Sequence, residues 1–177
     1  NPQGVFVDRL GQVYVADVGN NAVRKIDAHG WVSTLARDVA FNKPQGIVVD
    51  ALGSVYVTSY DGHCIIQINP EGQFQIFAGV VGQSGVADGT ASDARFNHPR
   101  GLGIDEFGNL YVADFGNNLI RGITPQGVVT TLLGQADRDT FVPGPIPGAI
   151  ASPSDLAISG RTMVLISQNG VVRIMAS

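Results

Sequence analysis

A seven-residue motif returns four times along these 177 residues. Pro2-Gln3-Gly4-Val5-Phe6-Val7-Asp8 recurs as Pro44-Gln45-Gly46-Ile47-Val48-Val49-Asp50 and as Pro99-Arg100-Gly101-Leu102-Gly103-Ile104-Asp105. A worn copy reads Pro153-Ser154-Asp155-Leu156-Ala157-Ile158-Ser159. The proline spacings are 42, 55 and 54 residues. A period of about 40–50 residues confines a chain to stacked or radial repeat architectures. The longer two spacings require inserted loops.

The rest of the repeat has the same grammar. Asp8, Asp50 and Asp105 each lead through a glycine three residues later to a short apolar run: Val13 to Asp17, Val55 to Val57, Leu110 to Asp114. Aspartate bonds its own turn backbone, and glycine accepts the left-handed position of a tight hairpin. Gly19-Asn20-Asn21, Asp61-Gly62-His63 and Gly116-Asn117-Asn118 then link to a third run, and Asp27 to Gly30, Asn69 to Gly72 and Thr124 to Gly127 link to a fourth. No stretch has a helical apolar period. The unit is four short antiparallel strands, and such a sheet buries both faces only by stacking radially against its neighbours. The fold class is therefore all-β, a propeller with blades at residues 1–42, 43–97, 98–151 and 152–177, the last incomplete.

The string from Pro99 through Gly101, Ile104-Asp105, Gly108-Asn109-Leu110-Tyr111-Val112-Ala113-Asp114 and Gly116-Asn117-Asn118 to Arg121 resembles an NHL repeat. The first copy matches down to Asn20, Asn21 and Arg24. The second departs at Thr58, Ser59, Tyr60, His63 and Ile66, and the fourth keeps Arg173 but not the tyrosine or aspartate. The resemblance covers the chain apart from its inserted loops. It implies four-stranded NHL-type blades and a binding site on the rim that carries the strand 2–strand 3 and blade-to-blade links. NHL propellers typically have six blades, so the expectation is an open arc of a larger propeller. A closed four-bladed ring is the alternative.

That rim also carries the two insertions, Gly79 to Asn97 and Gly134 to Ala151, the second containing Pro143-Gly144-Pro145-Ile146-Pro147-Gly148. Long loops on a rigid scaffold are where binding functions concentrate; the plainer reading is tolerated surface loops. The glycine-rich stretch before Gly89 lacks the Lys-Ser/Thr ending and following helix of a phosphate loop. His63, His98, Arg100, Lys43 and Gln45 are the candidate ligand contacts, with Gln3 and Ser154 as repeat-equivalent neighbours. His29 falls on the other rim, so the three histidines occupy non-equivalent positions. Related propellers such as peptidyl-amidating lyases hold an axial metal with histidines from comparable positions, which this chain does not offer. Asp17 and Asp114 read as turn-stabilising side chains, and Arg24, Arg121 and Arg173 as exposed blade charges. Cys64, the single cysteine, reads as a small core residue.

Eleven Lys+Arg against fifteen Asp+Glu leave a net charge of −4. Nucleic acid and anionic membranes call for a basic footprint, and no aromatic residue is expected beside the basic ones at equivalent rim positions. No apolar run approaches the ~20 residues of a membrane-spanning helix. The reading is a non-catalytic binding or scaffolding module for a protein or glycan partner, extracellular or at the cell surface, with no cofactor, no metal and no nucleic acid. Two alternatives are a building block whose open arc is completed by a homo-oligomer or a neighbouring chain, and a lyase or hydrolase with an axial metal. Intact mass with light scattering separates the first two: a polypeptide much heavier than 18.5 kDa places the arc in a fuller propeller, whereas an 18.5 kDa chain that assembles is closed by its neighbours.

Overall fold

The computed structural model describes residues 1–136, 138, 148–160, 162–168 and 170–175. Four antiparallel sheets follow one another in chain order, each a meander of sequential strands. The first holds β1 (Pro2–Val7), β2 (Val13–Asp17), β3 (Ala22–Ile26) and β4 (Val32–Arg37). The second holds β5 (Pro44–Val49), β6 (Val55–Ser59), β7 (Cys64–Ile68) and β8 (Phe74–Gly79). The third holds β9 (Pro99–Ile104), β10 (Leu110–Asp114), β11 (Leu119–Ile123) and β12 (Val129–Gly134). The fourth has three strands, β13 (Asp155–Ser159), β14 (Thr162–Ser167) and β15 (Gly170–Met175). The all-β propeller expected from the repeat is the architecture observed.

The turns form as their chemistry dictates. In each full blade the first aspartate caps its hairpin: Asp8 Oδ1 accepts from the backbone N–H of Leu10 and Gln12, and Asp50 and Asp105 repeat the pattern. Its other oxygen accepts from the second-strand tyrosine, Tyr14, Tyr56 or Tyr111. Turn and strand are thereby joined by one side chain.

The four sheets are held edge-on by their innermost strands, which lie side by side in the order β1, β5, β9, β13. The Pro-x-Gly segment makes this possible. It slips out of register with its own second strand in the first three blades and presents bare backbone to the next blade. A Cβ on Gly4 would sit 2.0 Å from the Gln45 carbonyl oxygen, one on Gly46 2.3 Å from that of Arg100, and one on Gly101 2.4 Å from the Asp155 Cα. Only glycine allows that approach. In two of the three blades the amide it exposes finds an acceptor at the seam. Gly101 N–H donates directly to Ser154 O at 3.1 Å. Gly46 N–H donates to Thr58 Oγ1 at 2.7 Å, and the Thr58 hydroxyl donates to Arg100 O at 2.6 Å.

Apolar side chains fill the three seams. Ile66 and Val57 point to the seam with the first blade, where Val23 and Phe41 meet them. Ile65 points the other way, to Leu102, Val112 and Phe96 of the next seam. Ala113, Ile120, Leu156 and Leu165 close the third. Cys64 is buried in the first of these layers, and burial pushes its thiol up to about 12. Among the described residues no comparable packing joins β13 back to β1, so the arc is open. Its first face shows the consequence: Val5 and Val7 are 63% and 57% exposed, whereas their counterparts Ile47 and Val49 are 4% and 6% exposed. Val164 and Ile166 stand exposed at the other end.

The structure corrects the reading of the third-strand arginines. Arg121 is wholly buried. It donates to Asp114 Oδ2 at 3.0 Å, to Asp88 Oδ1 at 2.6 Å, and to the carbonyls of Arg95 and Ala87. Asp114, also buried, further accepts from Asn97 N–H and Asn117 Nδ2, and burial pushes its carboxyl up to about 6. Asp88, Ala87 and Arg95 all belong to the first insertion, so this insertion is a packed element rather than a free loop. It is pinned further by the paired amides of Gly89 and Val129 and by buried Ala94 and Phe96. Arg24 makes the parallel bond to Asp17 at 3.0 Å but stays partly exposed, and Arg173 is exposed. Residues 139–147 of the second insertion, including Pro143 to Pro147, lie outside the described residues.

Gly46→Ala should destabilise the protein by about 1–3 kcal/mol, because the backbone of Arg100 to Leu102 on the next blade blocks the new methyl. Gly19→Ala, whose methyl would meet its nearest atom at 3.4 Å, should cost clearly less. Denaturant titration of the two variants checks this, and equal losses would contradict the backbone-contact account.

Candidate functional site

The strand 2–strand 3 links and the blade-to-blade links meet on one rim, where they exchange backbone hydrogen bonds. Asp61 N–H donates to Asn42 O, Tyr60 N–H to Lys43 O, and Gly116 N–H to Asn97 O. At the seam between the second and third blades this rim gathers a polar and aromatic cluster.

Four of the five residues singled out from the sequence stand in it. The His63 and His98 rings lie edge to face, 4.5 Å between centroids. Lys43 Nζ is 2.8 Å from Asp61 Oδ2, and His98 Nε2 is 3.8 Å from the other oxygen of the same carboxylate. The bond to Asp61 raises the Lys43 ammonium above its ordinary value. Arg100, at the start of β9, lays its guanidinium over the Phe115 ring at 3.7 Å and near the Tyr60 ring at 5.3 Å. Tyr60 in turn packs on His98, 4.6 Å between centroids. Gln45 sits half-buried in β5, and among the described residues no hydrogen bond or ring contact ties its side chain to the cluster.

Repeat equivalence explains His63. It takes the left-handed position held by Asn21 and Asn118 in the neighbouring blades, with φ of 57° against 47° and 58°. Those asparagines use their side-chain oxygens to accept the backbone N–H of Lys43 and of Ser152, the residues before Pro44 and Pro153. His63 does the same work with Nδ1, accepting the His98 N–H at 3.1 Å. Lys43, His98 and Ser152 all have positive φ, a conformation that proline disfavours in the residue before it. The acceptor holds each of them there. His63 thus positions His98.

Tyr60, Asp61 and Phe115 were missed. The expectation that no aromatic residue accompanies the basic rim residues is overturned, since Tyr60 and Phe115 both flank Arg100. Their signal was in the sequence: each is the first residue after the second strand, at the same place in its repeat, where the first blade has Val18. What the repeat alignment did not show was that residues from two blades converge on Arg100 across the seam.

The rim cluster, the glycine seams and the four-stranded meanders define an NHL-repeat propeller module. The family pattern described as NHL repeat matches residues 1–26, and the one described as Teneurin NHL domain matches residues 81–176, more than half of the chain. The chain belongs to the teneurin NHL domain family. It is 31% identical over 105 residues to human Teneurin-4 and 30% identical over 105 to the mouse protein, in each case covering 50% of this chain and 4% of the relative. The matched region is thus a small part of those proteins. Among solved structures, a protein from Bacteroides thetaiotaomicron superposes with a TM-score of 0.85 at 22% identity, covering 97% of this chain and 46% of that one. An auxiliary nutrient binding protein from the same organism gives 0.79 at 18%, covering 98% and 48%. Virginiamycin B lyase from Staphylococcus aureus gives 0.65 at 16%, covering 99% and 55%. At these identities the shared feature is the fold.

Burial, with a smaller contribution from His98, holds the His63 imidazole below its ordinary 6.5. A depressed folded value means that this group's contribution to stability is full above the unfolded value and is lost as pH falls through the folded one. Protonation removes the Nδ1 acceptor. The His98 amide resonance should therefore shift together with the His63 ring as pH falls below about 6.5, and His63→Asn should abolish that shift while keeping the fold. A His98 amide that ignores His63 protonation would contradict the assigned bond.

Proposed function

We propose that this chain is a non-catalytic binding or scaffolding module whose loop-rich rim meets a protein or glycan partner. The observation that carries the reading is the seam between the second and third blades. There a rigid two-blade scaffold presents Arg100, Tyr60, His98 and Phe115 at one place, a composition suited to recognition surfaces. The histidines support a binding role over a hydrolase or lyase role: His63 is occupied in positioning His98, and His29 lies in the β3–β4 turn of the opposite rim. An extracellular or cell-surface setting is proposed for this chain on its membership of the teneurin NHL domain family.

A second reading has its own observation. The exposed Val5, Val7, Val164 and Ile166 are packing surface for a further blade, supplied by the same chain or a neighbouring one. Exposed apolar faces of this kind mark interaction surfaces. Such closure would be compatible with a binding rim.

The test is a pair of triple variants screened against arrays of extracellular protein domains and of glycans. Tyr60→Ala with His98→Ala and Arg100→Ala should weaken any specific signal by at least about tenfold. Leu10→Ser with Leu52→Ser and Phe107→Ser, on the hairpin rim, should leave it unchanged. The reverse pattern would move the binding face to the hairpins and overturn the assignment.

A further inference from the structure

Among the described residues, Arg100 differs from the other cations around this seam in having no hydrogen-bond acceptor or carboxylate against it. Lys43 is held by Asp61, which also faces His98. Arg95 donates to the carbonyls of Ser92 and Ala94. Arg24 and Arg121 are paired with carboxylates, and Arg37 donates to Asn20 O. The Arg100 side chain meets no acceptor among the described residues, and its Nε is buried without a partner. The residue as a whole is half-buried, so part of it reaches solvent.

The surroundings select what could satisfy it. Phe115 covers one face of the guanidinium at 3.7 Å, and the Tyr60 ring stands beside it, 5.3 Å from Cζ and 6.4 Å from the Phe115 ring. The reachable hydrogen-bond donors of the guanidinium are therefore at its edge, in the plane where a carboxylate accepts two parallel bonds. Stacking fixes the plane and lowers the ordering cost of that contact. At this seam Arg100 stands as a single cation, which matches a single carboxylate and not a polyanion, which needs a row of free cations. Tyr60 is covered by Arg100 and His98, and Phe115 by Arg100. Neither ring is thus a bare platform of the kind a sugar stacks on. An aspartate or glutamate side chain, slender and carrying one carboxylate, fits better than a uronic acid ring.

We infer that the open edge of Arg100, stacked on Phe115 beside Tyr60 at the seam of the second and third blades, receives the carboxylate of an acidic side chain from a protein partner. This inference rests on the binding-rim reading above and names the chemistry of that rim.

The test is an NMR titration of the intact protein, following the Arg100 Nε–Hε resonance and rim amides. The probes are a capped Gly-Glu-Gly peptide, its glutamine counterpart, and a glucuronate-containing oligosaccharide. The glutamate peptide should shift the Arg100 resonance and the glutamine peptide should not. Arg100→Gln should weaken glutamate binding by about 10- to 100-fold, and Arg100→Lys should not restore it fully, because lysine lacks the planar fork. The resonance of the unsubstituted protein gives the answer even if a variant fails to fold. A shift with the oligosaccharide alone overturns the assignment to a peptide carboxylate. No shift with any probe overturns the inference; the binding reading then stands if the Tyr60, His98 and Arg100 substitutions still abolish array binding, and falls with it if the hairpin rim proves to be the binding face.

Discussion

Backbone-to-backbone contact between innermost strands is the constraint on which everything else here depends. A radial array has least room at its centre, and a side chain on Gly4, Gly46 or Gly101 would collide with the carbonyl or Cα of the next blade. The glycine solves the steric problem and creates a polar one, because its amide leaves its own ladder. In two of the seams the acceptor is clear: Ser154 O of the next blade for Gly101, and the Thr58 hydroxyl of its own blade for Gly46. Thr58 thus belongs to the seam, where it links Gly46 to Arg100 O. The strand carrying Arg100 is set by that contact, so the position of the recognition side chain follows from the geometry of the central seam.

A second set of interactions explains why the repeats differ. In the first and third blades an aspartate at the end of the second strand binds an arginine on the third. In the second blade both partners change together, to Ser59 and Ile66. The Ser59 hydroxyl donates to Ala40 O and Asn42 O instead. The joint change is what buried electrostatics demands: a carboxylate left without its arginine would be an uncompensated charge in an apolar layer. In the third blade the pair is sealed by the insertion, whose Asp88 supplies the second carboxylate to Arg121 and also accepts from Thr131. An insertion that looked like loop by composition is thereby made part of the blade.

The rim cluster uses the same economy. His63 stands where its neighbouring blades have asparagine and performs the same acceptor role, and in doing so it brings an imidazole against His98. Asp61 engages Lys43 and His98 together. Among the described residues Arg100 has aromatic neighbours and no counter-charge. A seam that neutralises Lys43 and orients Arg100 is suited to recognising a small anionic group on a larger partner.

Much of this was legible in the linear chain because it is local. Strand, turn and repeat boundaries follow from alternation, glycine and proline placement, and the Asp-x-x-Gly hairpins, all of which act within a few residues. The family was legible for the same reason, since its signature lies within one blade. The rim as the meeting place of two kinds of link was also readable from topology. What the sequence could not decide was contact across seams. Arg121 recurs with Arg24 and Arg173 and reads as an exposed blade charge, and only the folded insertion, some thirty residues away in sequence, shows it buried. Tyr60 and Phe115 were visible as equivalent positions, yet their convergence on Arg100 depends on the angle and spacing between two blades. Short-range chemistry sets each blade, whereas burial, charge pairing and the assembly of a site from two blades are properties of tertiary packing alone.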